Sequence, residues 1–163
     1  MNADANLNMN ALNEAELKRA MGCFATGVTV VTAHHNGEDI AMTCNSFNTV
    51  SLDPAMVLWS IQKDAASHPM FLYAGGYTVN ILAAGQGDLA MQFATAPHEE
   101  RFNGVATERL STGRLMLTES IAWFDCSLEQ AVEAGDHDIL IGRVLSFASN
   151  DGDPLLYVKG QFA

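Results

Sequence analysis

The residues best suited to chemistry lie together in Ala41-Met42-Thr43-Cys44-Asn45-Ser46-Phe47-Asn48-Thr49-Val50-Ser51-Leu52-Asp53-Pro54. A strand that only fills a core alternates apolar and polar residues. Here small hydroxyl, thiol and amide side chains crowd Thr43 to Ser46 and resume after Phe47, and the segment closes on an Asp-Pro turn. Such a run can present hydroxyls, amides and backbone N–H groups to a flat, heteroatom-rich ligand. An edge strand followed by a Ser/Thr-rich turn accounts for the same residues without a ligand.

A second cluster, Ser60, Lys63 and Ser67, falls at and just past the end of an apolar strand, where a helix begins. Exposed helix N–H groups, a hydroxyl and an ammonium make a phosphate site. A solvated lysine and a capping serine are the plain alternative. Gly85-Gln86-Gly87-Asp88-Leu89-Ala90 matches a dinucleotide-binding fingerprint between a strand and a helix. That fingerprint needs a parallel βαβ unit and an acidic residue about 20 positions on. Pro97, Asn103-Gly104 and Ser111-Thr112 place loop there instead, so turn glycines suffice. His34, His35, His68 and His98 have no metal-binding spacing, and no Ser–His–Asp arrangement can be read from sequence order.

Regular elements must hold these groups. Asn13 caps a helix with Glu16 completing a capping box, and Leu12 can staple onto Leu17. Leu17, Ala20, Met21 and Phe24 have the spacing of a core-facing stripe that ends at Thr26-Gly27. Val28–His34 reads as a strand, with Asn36-Gly37 turning into a partner over 39–49. Met56–Gln62 reads as a central strand, Asp64–Tyr73 as a short helix confined by Pro69, Tyr77–Leu82 as a strand and Asp88–Ala96 as a helix. A short strand is expected near Leu115–Leu117, long ones over Ile121–Val132 and Asp138–Ala148, and a last one over Leu155–Phe162. About seven strands with few helices point to a closed or split antiparallel barrel.

A 163-residue chain fits one domain, expected over 12–163, after a disordered lead-in over residues 1–11. Residues are 48% hydrophobic and only 17% charged, against about a quarter charged in ordinary globular domains; the surplus apolar surface hints at a homodimer. A net charge of −11 argues against nucleic acid and anionic membranes. Lys63, Arg101, Arg143 and Lys159 therefore carry weight as possible anion contacts. Cys23, Cys44 and Cys126 have neither disulfide-framework nor zinc spacing. With no signal-peptide or membrane-helix pattern, the cytoplasm is expected.

The block from Ala41 to Pro54 resembles the G-M-T-x-N-S-F-x-S-V-S-L-D-P-P stretch of the short-chain flavin reductase family. Further matches follow in order. Phe24-Ala25-Thr26-Gly27-Val28-Thr29-Val30-Val31-Thr32 is similar to its opening segment. Tyr77-Thr78-Val79-Asn80-Ile81-Leu82, Phe93-Ala94 and Arg101-Phe102 are similar to its central series. Gly135-Asp136-His137, Ile141-Gly142-Arg143-Val144 and Pro154-Leu155-Leu156-Tyr157 are similar to its C-terminal motifs. The resemblance covers roughly residues 14–162. Ala41, Cys44, Ala55 and Trp59 depart from the usual residues, Cys44 and Trp59 in ways that bear on which flavin fits.

The resemblance implies a mainly β split barrel, the FMN-binding split barrel of antiparallel Greek-key type, with peripheral helices. It implies a homodimeric enzyme that passes hydride from NADH or NADPH to FMN or FAD and supplies reduced flavin to a partner monooxygenase. Thr43, Cys44, Asn45, Ser46 and Ser51 would meet the flavin ring edge and ribityl chain, and Ser60, Ile61, Lys63 and Ser67 its phosphate side. Phe93, Ala94 and Arg101 would add contacts. His137 would lie near flavin and nicotinamide, where a donor at the ring's N1–O2 side favours its reduced anionic form. A split-barrel flavin carrier without turnover, and a Rossmann-type dehydrogenase using Gly85–Ala90, are the competing assignments.

Overall fold

The computed structural model describes residues 12–163; the expected lead-in over residues 1–11 lies outside them. Helices are α1 (Glu14–Gly22), α2 (His68–Tyr73) and α3 (Gly87–Thr95), with a 3-10 turn at His98–Glu100. The strands up to the first long helix-flanked segment are β1 (Thr26–Gly27), β2 (Thr29–His35), β3 (Glu38–Cys44), β4 (Asn48–Leu52) and β5 (Ala55–Gln62). They continue as β6 (Gly76–Ile81), β7 (Thr107–Arg109), β8 (Leu115–Leu117), β9 (Ala122–Ala134), β10 (His137–Ser149), β11 (Leu156–Val158) and β12 (Gln161–Phe162).

Seven strands form the main sheet in the order β3-β2-β6-β9-β10-β5-β4, every neighbour antiparallel. Its two edge strands, β3 and β4, are consecutive in the chain and joined only through residues 45–47. Such a connection reaches no more than about 15 Å, whereas seven flat strands span about 29 Å. The sheet must therefore curl until its edges face each other, which is the split barrel expected from the sequence. Asn36 and Gly37, both at positive φ (50° and 79°), make the tight β2–β3 turn.

Curling gives the sheet two buried faces, and β2 is buried on both. Val31 and Ala33 join Ile40, Trp59, Tyr77 and Leu140 in the barrel interior, which α2 plugs with Phe71. Val30 and Ala41 face outward against Ala90 and Phe93 of α3. Trp59, fully buried, meets Phe71 and Tyr77 edge-on at centroid distances of 4.9 and 5.8 Å. Tyr77 Oη donates to Leu140 O at 2.9 Å. A Cβ on Gly142 would stand 2.5 Å from that oxygen, so this strand position requires glycine.

One ionic group sits inside. Asp125 accepts from Arg114 Nε (2.6 Å), Thr78 Oγ1 (3.0 Å) and Thr112 Oγ1 (2.6 Å). The pairing and the two hydroxyls satisfy a carboxylate with no solvent exposure, which would otherwise be costly to bury.

Several expectations need correction. Asn13 does cap α1, its Oδ1 accepting from Glu16 N at 3.1 Å. The stripe on that helix does not face the core: Leu17, Met21 and Phe24 are exposed, and α1 buries no residue. The helix stops at Gly22, and Thr26-Gly27 is a strand paired with β11. The strand expected over 39–49 breaks after Cys44, where the chain crosses from one sheet edge to the other. Met56–Gln62 lies next to the β4 edge rather than at the centre, and the last strand is two short ones. Gly85–Ala90 forms the entry and first turn of α3, but the strands around it are antiparallel, so the βαβ unit a dinucleotide fingerprint needs is not formed.

Two outcomes follow from this packing. Gly142→Ala should destabilise the fold by about 2–3 kcal/mol, read from the urea midpoint; an unchanged midpoint would mean the Tyr77 ring yields freely. Burial pushes the Cys126 thiol up to about 12 and raises Tyr77 as well. The native state thus keeps protons that the unfolded chain releases, so stability should fall as pH rises above about 9 for the thiol and above about 10 for the phenol, by roughly 1.4 kcal/mol per pH unit for each. Urea titrations at stepped pH should show Cys126→Ala removing part of that slope.

Candidate functional site

The break between β3 and β4 is where the candidate residues gather. Strand β3 ends at Cys44, and one side chain then continues the sheet. Ser46 Oγ accepts from Ser60 N and donates to Ser60 O, both at 3.0 Å. The β4–β5 register pairs Asn48 with Leu58, so Ser46 stands where the next partner of Ser60 would be. A hydroxyl replaces the main chain, and the connection is pinned without being a strand.

Cys44 turns inward beside it. Its Sγ lies 3.0 Å from Thr29 Oγ1. Burial raises this thiol, an effect only partly opposed by hydrogen bonds from Thr29, from the Ser46 side chain and from the backbone N–H groups of Ser46 and Phe47. Phe47 stacks on Phe124 at 5.8 Å, and Thr43 Oγ1 donates to Ala90 O at 2.5 Å, fastening β3 to α3. Asn45, between these anchors, is exposed.

Beside this segment opens a cleft of about 450 Å³. Strand β3 contributes Glu38, Met42 and Thr43, and α3 contributes Phe93 and Ala94. The opposite wall is Ala65, Ala66, Ser67 and Met70, and the 3-10 turn adds His98 and Arg101. The Arg101 guanidinium is held by two carbonyls, Ala41 O at 2.6 Å through Nη1 and Ala96 O at 3.1 Å through Nε. It forms no ion pair among the described residues, so its charge remains available to an anion. A smaller adjoining cleft is lined by Thr43, Cys44, Asn45 and Ala94 together with Tyr157 and Phe162.

The structure thus brings together Thr43, Cys44, Asn45, Ser67, Phe93, Ala94 and Arg101. Ser46 and Ser60 stand behind them as the pin. Ile61 is 1% exposed in the barrel interior, leaving only its backbone for any ligand. Ser51 lies along β4, away from the cleft walls. The Lys63 ammonium pairs with Glu133 and does not line the cleft. His137 opens β10, its Nδ1 2.7 Å from Asp136 Oδ1, and the same contact holds the Asp136 carboxyl below the usual range. Trp59 belongs to the core and bounds no cleft.

Glu38, Met42, Met70 and His98 were not anticipated. No local pattern marks them, because the cleft arises where β3, α2, α3 and the 3-10 turn meet. A further tie crosses its outer wall: His68 Nε2 lies 2.6 Å from Asp138 Oδ2, half-buried, binding the start of α2 to β10. Among the described residues no cluster could hold a metal ion, and no helix is long and apolar enough to cross a membrane.

Ser46→Ala should cost about 1–3 kcal/mol, because two buried backbone groups of Ser60 lose their partner; equilibrium unfolding measures it. The thiols should separate cleanly under alkylation of the native protein. Cys23 is exposed and should label first, the partly exposed Cys44 more slowly, and Cys126 only on unfolding. Equal rates would contradict the burial of Cys126.

Comparison with known proteins agrees with this geometry. The chain is 40% identical over 150 residues to FMN reductase (NADH) SmoA of Agrobacterium fabrum, covering 92% of this chain and 85% of that one. It is 41% identical over 156 residues to the reductase component of the flavin-dependent trigonelline monooxygenase of Acinetobacter baylyi, covering 94% of this chain and 50% of that one. It also spans about half of a flavin reductase of Rhizobium meliloti, 47% of its length. The structure of the Streptomyces globisporus NADH:FAD oxidoreductase SgcE6 in complex with NAD and FAD fragments superposes with a TM-score of 0.88 at 33% identity, covering 93% of this chain and 92% of that one. Residues 21–163 match the flavin reductase like domain, and with the split barrel and the polar β3–β4 crossing in place, the chain belongs to the flavin reductase-like family.

Proposed function

We propose that this protein is an NADH-dependent flavin reductase whose flavin lies along the β3–β4 crossing, ring edge toward Thr43, Cys44 and Asn45 and phosphate toward Ser67 and Arg101. The carrying observation is Arg101, a guanidinium fixed by main-chain carbonyls in the cleft wall that forms no ion pair among the described residues. The donor set fits a flavin mononucleotide: hydroxyls and an exposed amide for the ring and ribityl chain, one cation for the phosphate, and a cleft within the usual 300–1,000 Å³ of ligand sites. When bound, flavin and NADH supply the redox chemistry, hydride passing from nicotinamide to flavin.

The chain's own part is positioning. Thr43 is locked to α3, Cys44 is a neutral, half-buried thiol, and the Ser46 pin keeps the crossing rigid, so little freedom is lost when ligand binds. Hydride transfer between two cofactors needs no paired acid and base. His137, on the hairpin beyond the wall, is assigned to the nicotinamide side through the resemblance to the family. The relatives named as NADH reductases support NADH over NADPH, and the cleft's carboxylate, Glu38, adds no welcome for an extra phosphate.

Reduced flavin is the product, and relatives named as reductase components of monooxygenases support delivery to such an enzyme by diffusion. A homodimer is part of the same proposal. Val50 and Leu52 on β4 and Leu145 and Phe147 on β10 are exposed apolar side chains, Leu52 at 96%, more than a monomer comfortably shows. Free thiols and the NADH requirement support a cytoplasmic setting.

Adding NADH anaerobically should bleach the visible absorbance of FMN with the protein present. Bound flavin that stays yellow would instead mark a carrier. Arg101→Ala should weaken FMN about 10- to 100-fold, leave riboflavin affinity unchanged because riboflavin lacks the phosphate, and spare the rate at saturating flavin. Lys63→Ala should leave FMN affinity within about twofold, since its ammonium is engaged by Glu133. Equal loss of riboflavin and FMN in Arg101→Ala would remove the phosphate assignment. Sedimentation should show a dimer that Phe147→Glu dissociates.

A further inference from the structure

The cleft does not end at Asn45. Thr43 and Ala94 wall both the main cleft and its smaller neighbour, Asn45 and Tyr157 wall that neighbour and a third, and Lys18, Gly22 and Gly160 wall the third and a fourth. Each shares a wall with the next, so a groove of adjoining hollows leads from Arg101, past the crossing, to one between α1 and the β11–β12 turn. That far hollow is walled by Lys18, Arg19 and Lys159.

Charge singles out its two ends. The chain has eight Lys and Arg residues against 19 carboxylates. Six of the eight pair with a carboxylate: Lys18, Arg19, Lys63, Arg109, Arg114 and Arg143. Among the described residues the two that do not are Arg101 and Lys159, and they stand at opposite ends of this groove. Lys159 is held in place by its main chain, at φ 51°, with its N–H donating to Gly22 O at 2.7 Å. Beside it, Lys18 and Arg19 form only exposed pairs with Glu14 and Glu16, the second at 3.9 Å. Pairs of that kind hold their cations weakly and can release them to a stronger anion. Between this hollow and Asn45 the wall also carries Thr26, whose Oγ1 is buried without a hydrogen-bond partner.

In so acidic a protein an unpaired cation at each end of one groove implies two anionic groups bound along it. A mononucleotide phosphate takes only one. We propose that the Lys159 end holds the diphosphate of a dinucleotide, with Lys159 as its main contact and Lys18 and Arg19 in support. This assignment rests on the flavin site proposed above, which places the mononucleotide phosphate at Arg101. The dinucleotide is NADH laid across the flavin, or FAD extended along the groove.

ADP-ribose carries the diphosphate and adenosine of NADH without nicotinamide, so its binding is measurable by calorimetry without turnover. The wild-type protein should bind it, and Lys159→Gln should weaken that binding about tenfold, the loss of one charge-assisted contact, with Lys159→Glu weaker still. FMN affinity and melting temperature should stay unchanged, and added salt should narrow the gap between wild type and variant. A parallel rise in KM for NADH identifies NADH as the occupant; a rise in the FAD dissociation constant alone identifies FAD. Absence of ADP-ribose binding to the wild type overturns the proposal. So does binding that neither variant changes, or a loss that extends equally to FMN. Failure of flavin reduction with ADP-ribose binding intact would count against the reductase assignment and leave the diphosphate site standing.

Discussion

Ser46 Oγ decides where the site can be. A curled sheet whose edges are consecutive strands must cross from one edge to the other, and a crossing has main-chain groups with no ladder partner. In this chain one hydroxyl takes both the N–H and the C=O of Ser60. A side chain thereby continues the β4–β5 pairing beyond Asn48, so Asn45, Ser46 and Phe47 need not be a strand. A polar segment remains at the barrel surface, held rigidly enough to recognise a ligand yet not consumed by sheet pairing.

Two-sided burial then supports the crossing. Strand β2 packs inward on the Trp59–Tyr77 core and outward on α3, so neither face can shift without opening the other. Arg101 belongs to the same framework, bridging β3 and the end of α3 through carbonyls rather than carboxylates. A guanidinium anchored in that way keeps its positive charge uncompensated, which is unusual in a chain with a net charge of −11. The interior takes the opposite course: Arg114 is neutralised by Asp125, with threonine hydroxyls completing the carboxylate's hydrogen bonds. Arg114 is a buried cation that stabilises the fold, whereas half-buried Arg101 has no carboxylate partner among the described residues.

Apolar surface is distributed with the same economy. Leu17, Met21 and Phe24 of α1 and Leu145 and Phe147 of β10 stay exposed although their spacing or strand context would place them inside. The barrel interior is already filled by strand residues and Phe71, so a further amphipathic helix has no interior left to cover. What remains is an outer surface with several exposed apolar side chains.

Strands β2, β5, β6, β9 and β10, the Asn36-Gly37 turn, the Asn13 cap and the polar character of Thr43–Ser46 were all legible in residue order, because each rests on local periodicity or on a short-range hydrogen bond. A series of motifs in order also carried the family resemblance. Other features depended on contacts that no local pattern encodes. Whether an apolar stripe is buried depends on what occupies the other side, which is why α1 was misplaced. Whether a lysine is free depends on a carboxylate 70 residues away, as Glu133 shows for Lys63. The adjoining hollows from Arg101 to Lys159 are walled by residues far apart in the chain. They exist because a curled antiparallel sheet brings β3, α3, α1 and β11 side by side, a proximity set by long-range pairing and not by sequence neighbours.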